Sequence, residues 1–339
     1  MTLHEDALNE MHATPSLALI DDMARLDGDI LILGAGGKMG PTLSAMAKKA
    51  SDRAGKNRRV YAVSRFSDPH AVAFLQKEGV EMISADLNDE KQVSALPDAP
   101  NIVYMLGKKF GTSGNAGETW HTNVVLPGLI TRVLGQRRYV VFSTGNVYPF
   151  TDPALGGCTE NDSPNPVGEY AMSTWGRERV FEYAAAHYGA SVLLFRLNYA
   201  IDLRYGVLLD LAQQILADTP IHLGVPQFNC VWQRYANEAA LRSLLHTSPQ
   251  VERLNVTGPQ VGHTRRVAQM LAAALGRTVS FAGEEGKLAM LMNPAKCMAW
   301  FGTPDRTLDE MIQLQADWLL AGGRLLGKPT HFEETEGKF

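Results

Sequence analysis

The chain has 339 residues, 45% of them apolar and 20% charged, with a formal net charge of -4. That length and composition allow a large buried core and exclude a collagenous, disulfide-rich or disordered chain. The mild acidity gives no reason to expect nucleic acid or a membrane as partner, and no apolar run reaches the ~20 residues of a membrane span.

Residues 1–28 read as a flexible lead-in. The opening MTLHEDALNEMHATP is too acidic and polar for a signal peptide, and Ser16 can cap a short helix, Leu17 to Leu26. Ile30 to Leu33 then form an uninterrupted apolar run, the pattern of a parallel strand covered on both faces. Glycines follow at Gly34, Gly36, Gly37 and Gly40, with Lys38 and Met39 between them, and Pro41 to Lys49 continue as a helix. A glycine-rich turn between strand and helix lets backbone amides approach a phosphate with no Cβ in the way, so nucleotide binding is expected here. The common G-x-G-x-x-G fingerprint would need glycine where Met39 stands; the spacing is instead Gly34-x-x-Gly37-x-x-Gly40.

Further strands are read at Arg59 to Ser64, Val80 to Ser84, Asn101 to Leu106, Tyr139 to Ser143 and Ser191 to Leu197. Helices fall at Glu118 to Leu134 and Val167 to His187. This alternation predicts an α/β fold, a Rossmann-type doubly wound parallel sheet over residues 29–200. Past Tyr199 the texture changes. Residues 201–327 read mainly as a smaller, interleaved substrate domain, with a stretch near 228–258 returning to the first domain through a strand at Glu252 to Val256. Helices are expected at Val207 to Ala217, Ala236 to Leu245, Thr264 to Leu275 and Leu308 to Leu320. The tail, 328–339, reads as flexible or as a partner-facing arm. Cys158, Cys230 and Cys297 are widely separated and read as free thiols of a reducing compartment, the cytoplasm. The nine histidines are scattered, and no metal site is expected.

Cofactor choice rests on the end of the second strand, where NAD enzymes carry an acidic residue for the ribose 2′-hydroxyl. Here Ser64 and Arg65 stand in that place. Arginine suits a 2′-phosphate and Lys38 adds charge, so NADP is favoured, with NAD the alternative.

Several segments, in this order, resemble the extended short-chain dehydrogenase/reductase (NAD-dependent epimerase/dehydratase) family over most of the chain. The glycine spacing is one. Ala85-Asp86-Leu87 is similar to the turn that holds the adenine amino group. Leu106 and Gly107 end the strand that normally faces the nicotinamide, and Asn123 matches an asparagine supporting the cofactor site. In VVFSTGNVYPF, Thr144 takes the catalytic Ser/Thr position, and Tyr170 matches the catalytic tyrosine. The resemblance implies hydride transfer at a hydroxyl or carbonyl carbon of a sugar-like substrate, by an oxidoreductase or an epimerase. Tyr170 would be acid/base and Thr144 would orient the substrate oxygen. It also implies a homodimer through the helices Glu118 to Leu134 and Val167 to His187.

One position breaks the pattern. The family's Tyr-x-x-x-Lys is Tyr170-x-x-x-Thr174 here. The lost lysine normally holds the ribose and lowers the tyrosine pKa; without it, a tyrosine near pKa ~10 is about one part in a thousand ionised at neutral pH, a handicap of roughly 4 kcal/mol. Arg177, one turn further along the helix, or Lys109, which resembles the lysine in the Ala-Gly-Leu-Lys turn of UDP-galactose 4-epimerases, could supply the charge. The alternative reading is a dinucleotide-binding sensor or scaffold with impaired catalysis. Arg196-Leu197-Asn198 resembles the Arg-x-x-Asn that precedes the family's substrate loop, one residue short; Arg204, Tyr205, Trp232, Gln233 and Arg234 lie where its substrate domain closes over its ligand; Asn198, Arg204, Trp232 and Arg234 are the substrate-binding candidates.

Overall fold

A sheet of seven parallel strands organises the computed structural model, which describes residues 4–109, 114–328, 330–334 and 337. The strands are β1 (Ile30–Leu33), β2 (Val60–Ser64), β3 (Glu81–Ser84), β4 (Asn101–Tyr104), β5 (Arg138–Thr144), β6 (Ser191–Leu197) and β7 (Glu252–Val256). Their spatial order is β7-β6-β5-β4-β1-β2-β3. This is the Rossmann-type doubly wound arrangement, with the switch point between β1 and β4. β1 is buried at all four positions and pairs with β2 and β4 on its two sides, which is why its sequence carries no polar alternation.

Helices cover both faces. On one, α1 (Glu5–Ala13), α2 (Leu17–Arg25), α3 (Gly40–Arg53) and the helix Gln233–Arg242 pack together. On the other, Leu126–Leu134 and Gly168–Tyr188 bury Ile130 and Phe181 against Tyr104 and Tyr139. A second apolar core, with Phe228, Trp232 and Trp318, gathers helices Val207–Leu216, Thr264–Leu275 and Leu308–Leu320. β7 returns to the main sheet beside β6, as its pattern predicts.

Two expectations at the chain ends need correction. The lead-in is structured: His4 caps α1, and Leu8 and His12, one turn apart, are both fully buried. The polar average of EDALNEMHA hid a narrow buried stripe. The described part of the tail is likewise packed: Thr330 and Phe332 are 1% and 2% exposed, and Phe332 lies against Phe228 at 6.2 Å between ring centres. Residues 329, 335, 336, 338 and 339 of that tail lie outside the described residues.

The helix expected over Glu118 to Leu134 is interrupted. Ala116–Trp120 is followed by a wide π turn, His121–Val125, and then by Leu126–Leu134. Pro127 has no N–H to donate, and the wide turn ends just before it.

Candidate active site

The chain leaves β1 at Gly34, whose φ of +88° favours glycine and whose N–H donates to the Val63 carbonyl at 2.9 Å. Gly40 opens α3 so close to the loop that a Cβ there would lie 2.3 Å from the Ala35 carbonyl oxygen. Together these glycines press loop and helix start against the sheet at the edge of a cavity of about 690 Å³. Gly34, Gly36, Gly37, Lys38 and Met39 line its floor; Leu106, Gly107 and Lys109 enter after β4, and Thr144 at the end of β5. Tyr170 and Arg177 reach it from the helix Gly168–Tyr188, and Asn198 and Arg204 from the segment after β6. A bare glycine loop beside an open cavity fits a dinucleotide pyrophosphate.

The phenol of Tyr170 is shifted up in pKa. Burial is the largest cause; the Thr144 hydroxyl, Arg177 and Thr174 oppose it without cancelling it. Arg177 is 4% exposed and fixed by two bonds, to the Phe142 carbonyl at 2.9 Å and Asn123 Oδ1 at 2.5 Å. It lies directly against the turn after β4: a Cβ on Gly107 would come within 2.6 Å of the guanidinium. Asn123 thus stands behind the cavity, also holding the Lys108 amide at 2.9 Å. Thr144 donates to Asn146 Oδ1 at 3.0 Å, and Asn146 faces the cavity too.

Two lysines approach the same space. Lys109 donates to the Thr330 carbonyl at 3.0 Å, and its Nζ is 5.9 Å from the centre of the Tyr170 ring. Burial pulls its pKa down to about 8, with Asp210 opposing. Lys38 donates to the Ala200 carbonyl at 2.7 Å and sits 4.0 Å from the centre of the Tyr205 ring. Burial lowers it to about 7, and Lys109 and Arg204 add repulsion. Lys38 therefore points toward the segment after β6, and its charge is not directed at the end of β2.

Other sequence candidates fall outside the cavity lining. Gly40 is buried beneath the loop. Ser64 packs against Gly36, where a Cβ would meet its Oγ at 2.5 Å. Arg65 and Asp86 are exposed and Leu87 is buried, none of them in the lining. Trp232 is 1% exposed and its ring lies 4.5 Å from His12, inside the second core. Arg234 donates to the Thr14 carbonyl at 2.9 Å and pairs with Asp305 and Glu238. Arg204 does line the cavity, but Asp202 holds its guanidinium at 2.9 and 2.7 Å, and Glu5 and Asn9 hold the rest.

The lining also includes Asp68, the first carboxylate after β2, and residues that carried no sequence signal: Glu5 and Asn9 from α1, Ser67 and Phe74 beyond β2, Tyr199, and the arm residues Arg324 to Leu326, Lys328 and Thr330. Chain ends have no local pattern that announces a cavity wall. Among the described residues, no three or more His, Cys, Asp or Glu side chains cluster as a metal site would require.

Sheet order, glycine loop and cavity define a Rossmann-type dinucleotide-binding fold. The sequence pattern of the NAD dependent epimerase/dehydratase family matches residues 30–201, and the chain belongs to that family of enzymes. No curated protein matches the chain. Among solved structures it is similar to "MoeE5 in complex with UDP-glucose and NAD", 20% identical over 87% of this chain and 99% of that one, TM-score 0.71. It is also similar to dTDP-glucose 4,6-dehydratase from Bacillus anthracis str. Ames in complex with NAD, 16% identical over 87% and 97%, TM-score 0.73. A third is UDP-glucuronic acid 4-epimerase from Bacillus cereus in complex with NAD, 16% identical over 86% and 98%, TM-score 0.69. At these identities the likeness is one of fold.

Proposed function

We propose that the chain is a nicotinamide-dependent oxidoreductase or epimerase acting at a hydroxyl or carbonyl carbon of a sugar-like substrate. The observation that supports it is the convergence of Tyr170, Thr144 and Arg177 on the cavity whose floor is the glycine loop. Gly34, Gly36 and Gly37 would hold the pyrophosphate, and Leu106 and Gly107 would flank the nicotinamide. That ring, when bound, accepts or returns hydride. Thr144 orients the substrate oxygen, and Tyr170 gives or takes its proton. With its pKa raised, the phenol is protonated at neutral pH and suited to donate. Taking a proton needs the phenolate, which Arg177 and the two threonine hydroxyls favour.

Of the two cations the sequence offers, Arg177 is the one we assign to the vacated lysine role, because its charge acts on the phenol and its guanidinium is rigidly held. The NADP preference rested on Ser64 and Arg65. Beyond β2 the lining instead includes Asp68, whose carboxylate also caps the next helix by accepting from the His70 amide, while Arg65 stays outside it; an acidic residue there suits ribose hydroxyls better than a 2′-phosphate, so NAD is the form we propose. Trp120, Val125, Val167, Met172 and Tyr183 are exposed apolar residues on or beside the two helices named for dimerisation, and we infer a homodimer through them. Three buried free thiols are consistent with the cytoplasm.

The test is Tyr170→Phe: turnover should vanish while dinucleotide binding persists, and unchanged turnover would refute the assignment. The raised phenol pKa also supports a second reading, a dinucleotide sensor without catalysis. Wild-type protein that binds dinucleotide yet transfers no hydride to any of a panel of sugar carbonyls would favour that one.

A further inference from the structure

Between Gly34 and Gly40 the loop carries one charged residue, Lys38. It stands one residue before Met39, the N-cap of α3, and it lines the cavity. Lys109, Arg177, Arg204, Arg324 and Lys328 line the cavity too, but each enters from another element. The Lys38 ammonium donates to the Ala200 carbonyl at 2.7 Å and lies 4.0 Å from the centre of the Tyr205 ring. A carbonyl and a ring face attract an ammonium without neutralising it. Among the described residues Lys38 forms no ion pair with a carboxylate. Asp202, the carboxylate that pulls on it most, is itself bound by Arg204 at 2.9 and 2.7 Å.

The amides of a glycine loop offer a diphosphate hydrogen bonds but no net charge, and the diphosphate brings anionic oxygens into a partly desolvated cleft. A lysine is a point charge on a flexible four-carbon stem, able to turn from one acceptor to another without moving its backbone. Resting on the dinucleotide-binding reading above, we propose that Lys38 is the counter-ion of the cofactor's diphosphate. On binding, its ammonium exchanges the Ala200 carbonyl for a phosphate oxygen. This places the charge at the middle of the cofactor and not at the ribose 2′ position.

A protonation step follows. Burial is the largest cause that lowers the Lys38 pKa, to about 7; Asp202 and Asp210 oppose it, and Lys109 and Arg204 add to it. His12 faces the same charge from α1. At pH 8 the free protein therefore holds Lys38 mostly neutral, and an adjacent diphosphate restores the ammonium. Dinucleotide binding should take up about one proton there at pH 8 and almost none at pH 6.

The experiment is calorimetric titration of the full-length protein with NAD and with ADP-ribose, which keeps the diphosphate and lacks the nicotinamide. It is run at pH 6 and pH 8, each in two buffers of different ionisation enthalpy. Lys38→Met removes a buried charge and keeps an unbranched chain, so the melting temperature should not fall. It should weaken both ligands about 10- to 100-fold, the worth of a charged hydrogen bond. Lys38→Arg, charged throughout this range, should restore most of the affinity. Proton uptake at pH 8 should fall by most of a proton in both variants. The difference from wild type is what is read, because Lys109 can take up a proton in all three proteins. Wild-type affinity in Lys38→Met, or a loss seen with NAD and absent with ADP-ribose, overturns the proposal. Equal uptake in wild type and Lys38→Arg overturns its protonation step. Failure of the dinucleotide reading is separate: wild type would then bind neither ligand, and the proposal would fall with it.

Discussion

Arg177 donates to Asn123 Oδ1 at 2.5 Å, tying the helix that carries Tyr170 to the wide turn after β4. The second bond, to the Phe142 carbonyl, anchors the same guanidinium to β5 two residues before Thr144. A lysine at 174 would bring one mobile ammonium near the phenol; Arg177 brings a planar cation held at two points. Arg177→Met should lower kcat about 100-fold, the usual cost of removing one preorganised electrostatic group. It should also move the rising limb of the pH–rate profile to higher pH, because the phenolate loses its cation. A profile that stays in place would remove Arg177 from that role.

The pH profile of wild type has a definite sign. Tyr170 is shifted above its ordinary value by burial. In the direction of alcohol oxidation the phenolate is the base, and below its pKa that form grows about tenfold per pH unit. Oxidation should therefore accelerate through neutral pH and beyond, with no plateau before pH ~10. Reduction, which uses the protonated phenol, should stay flat over the same range. Steady-state rates in both directions measure this, and a plateau near neutral pH for oxidation would contradict it.

Thr174 is 1% exposed and adjoins Tyr170. Restoring lysine there would push a long cation into a filled space close to Arg177. Overpacking and an unpaired buried charge together should cost about 2–4 kcal/mol. Thr174→Lys is expected to lower the melting temperature and to reduce turnover. A gain in turnover would mean that the site lacks a working cation, as the sensor reading requires.

The sheet was legible because β1 is a uniform apolar run, β6 a nearly apolar one, and the glycine loop sits between strand and helix. Ser191–Leu197 and Glu252–Val256 form strands with the bounds their sequence implies. Tyr170 and Thr144 were legible through the family resemblance, and Arg177 because it lies one turn beyond Thr174 on the helix that carries Tyr170. What was not legible depends on contacts distant in sequence. Glu5 meets Arg204 and Arg324 across some two to three hundred residues, and nothing local in EDALNEMHA announces that. Trp232 and Arg234 failed as cavity residues for the same reason: their local chemistry suits a ligand, but α1 covers them, Trp232 through His12 and Arg234 close by through Thr14.

His12 gives the fold its own dependence on acid. The ring is fully buried against Trp232, with Asp202 Oδ2 3.8 Å from Nε2. Burial lowers its pKa from 6.5 to about 4; Asp202 opposes, while Arg204, Lys38 and Arg234 add to the lowering. Below pH 6.5 the unfolded chain protonates this histidine and the folded chain does not. Stability is therefore lost as pH falls from 6.5 toward 4, by about 3 kcal/mol from this group alone. Above pH 6.5 the imidazole is neutral in both states and contributes no slope. His12→Phe keeps a ring against Trp232 and removes the proton, so urea unfolding at pH 7 and pH 5 should show a smaller difference than in wild type. An equal difference in both proteins would mean that His12 is hydrated and titrates normally.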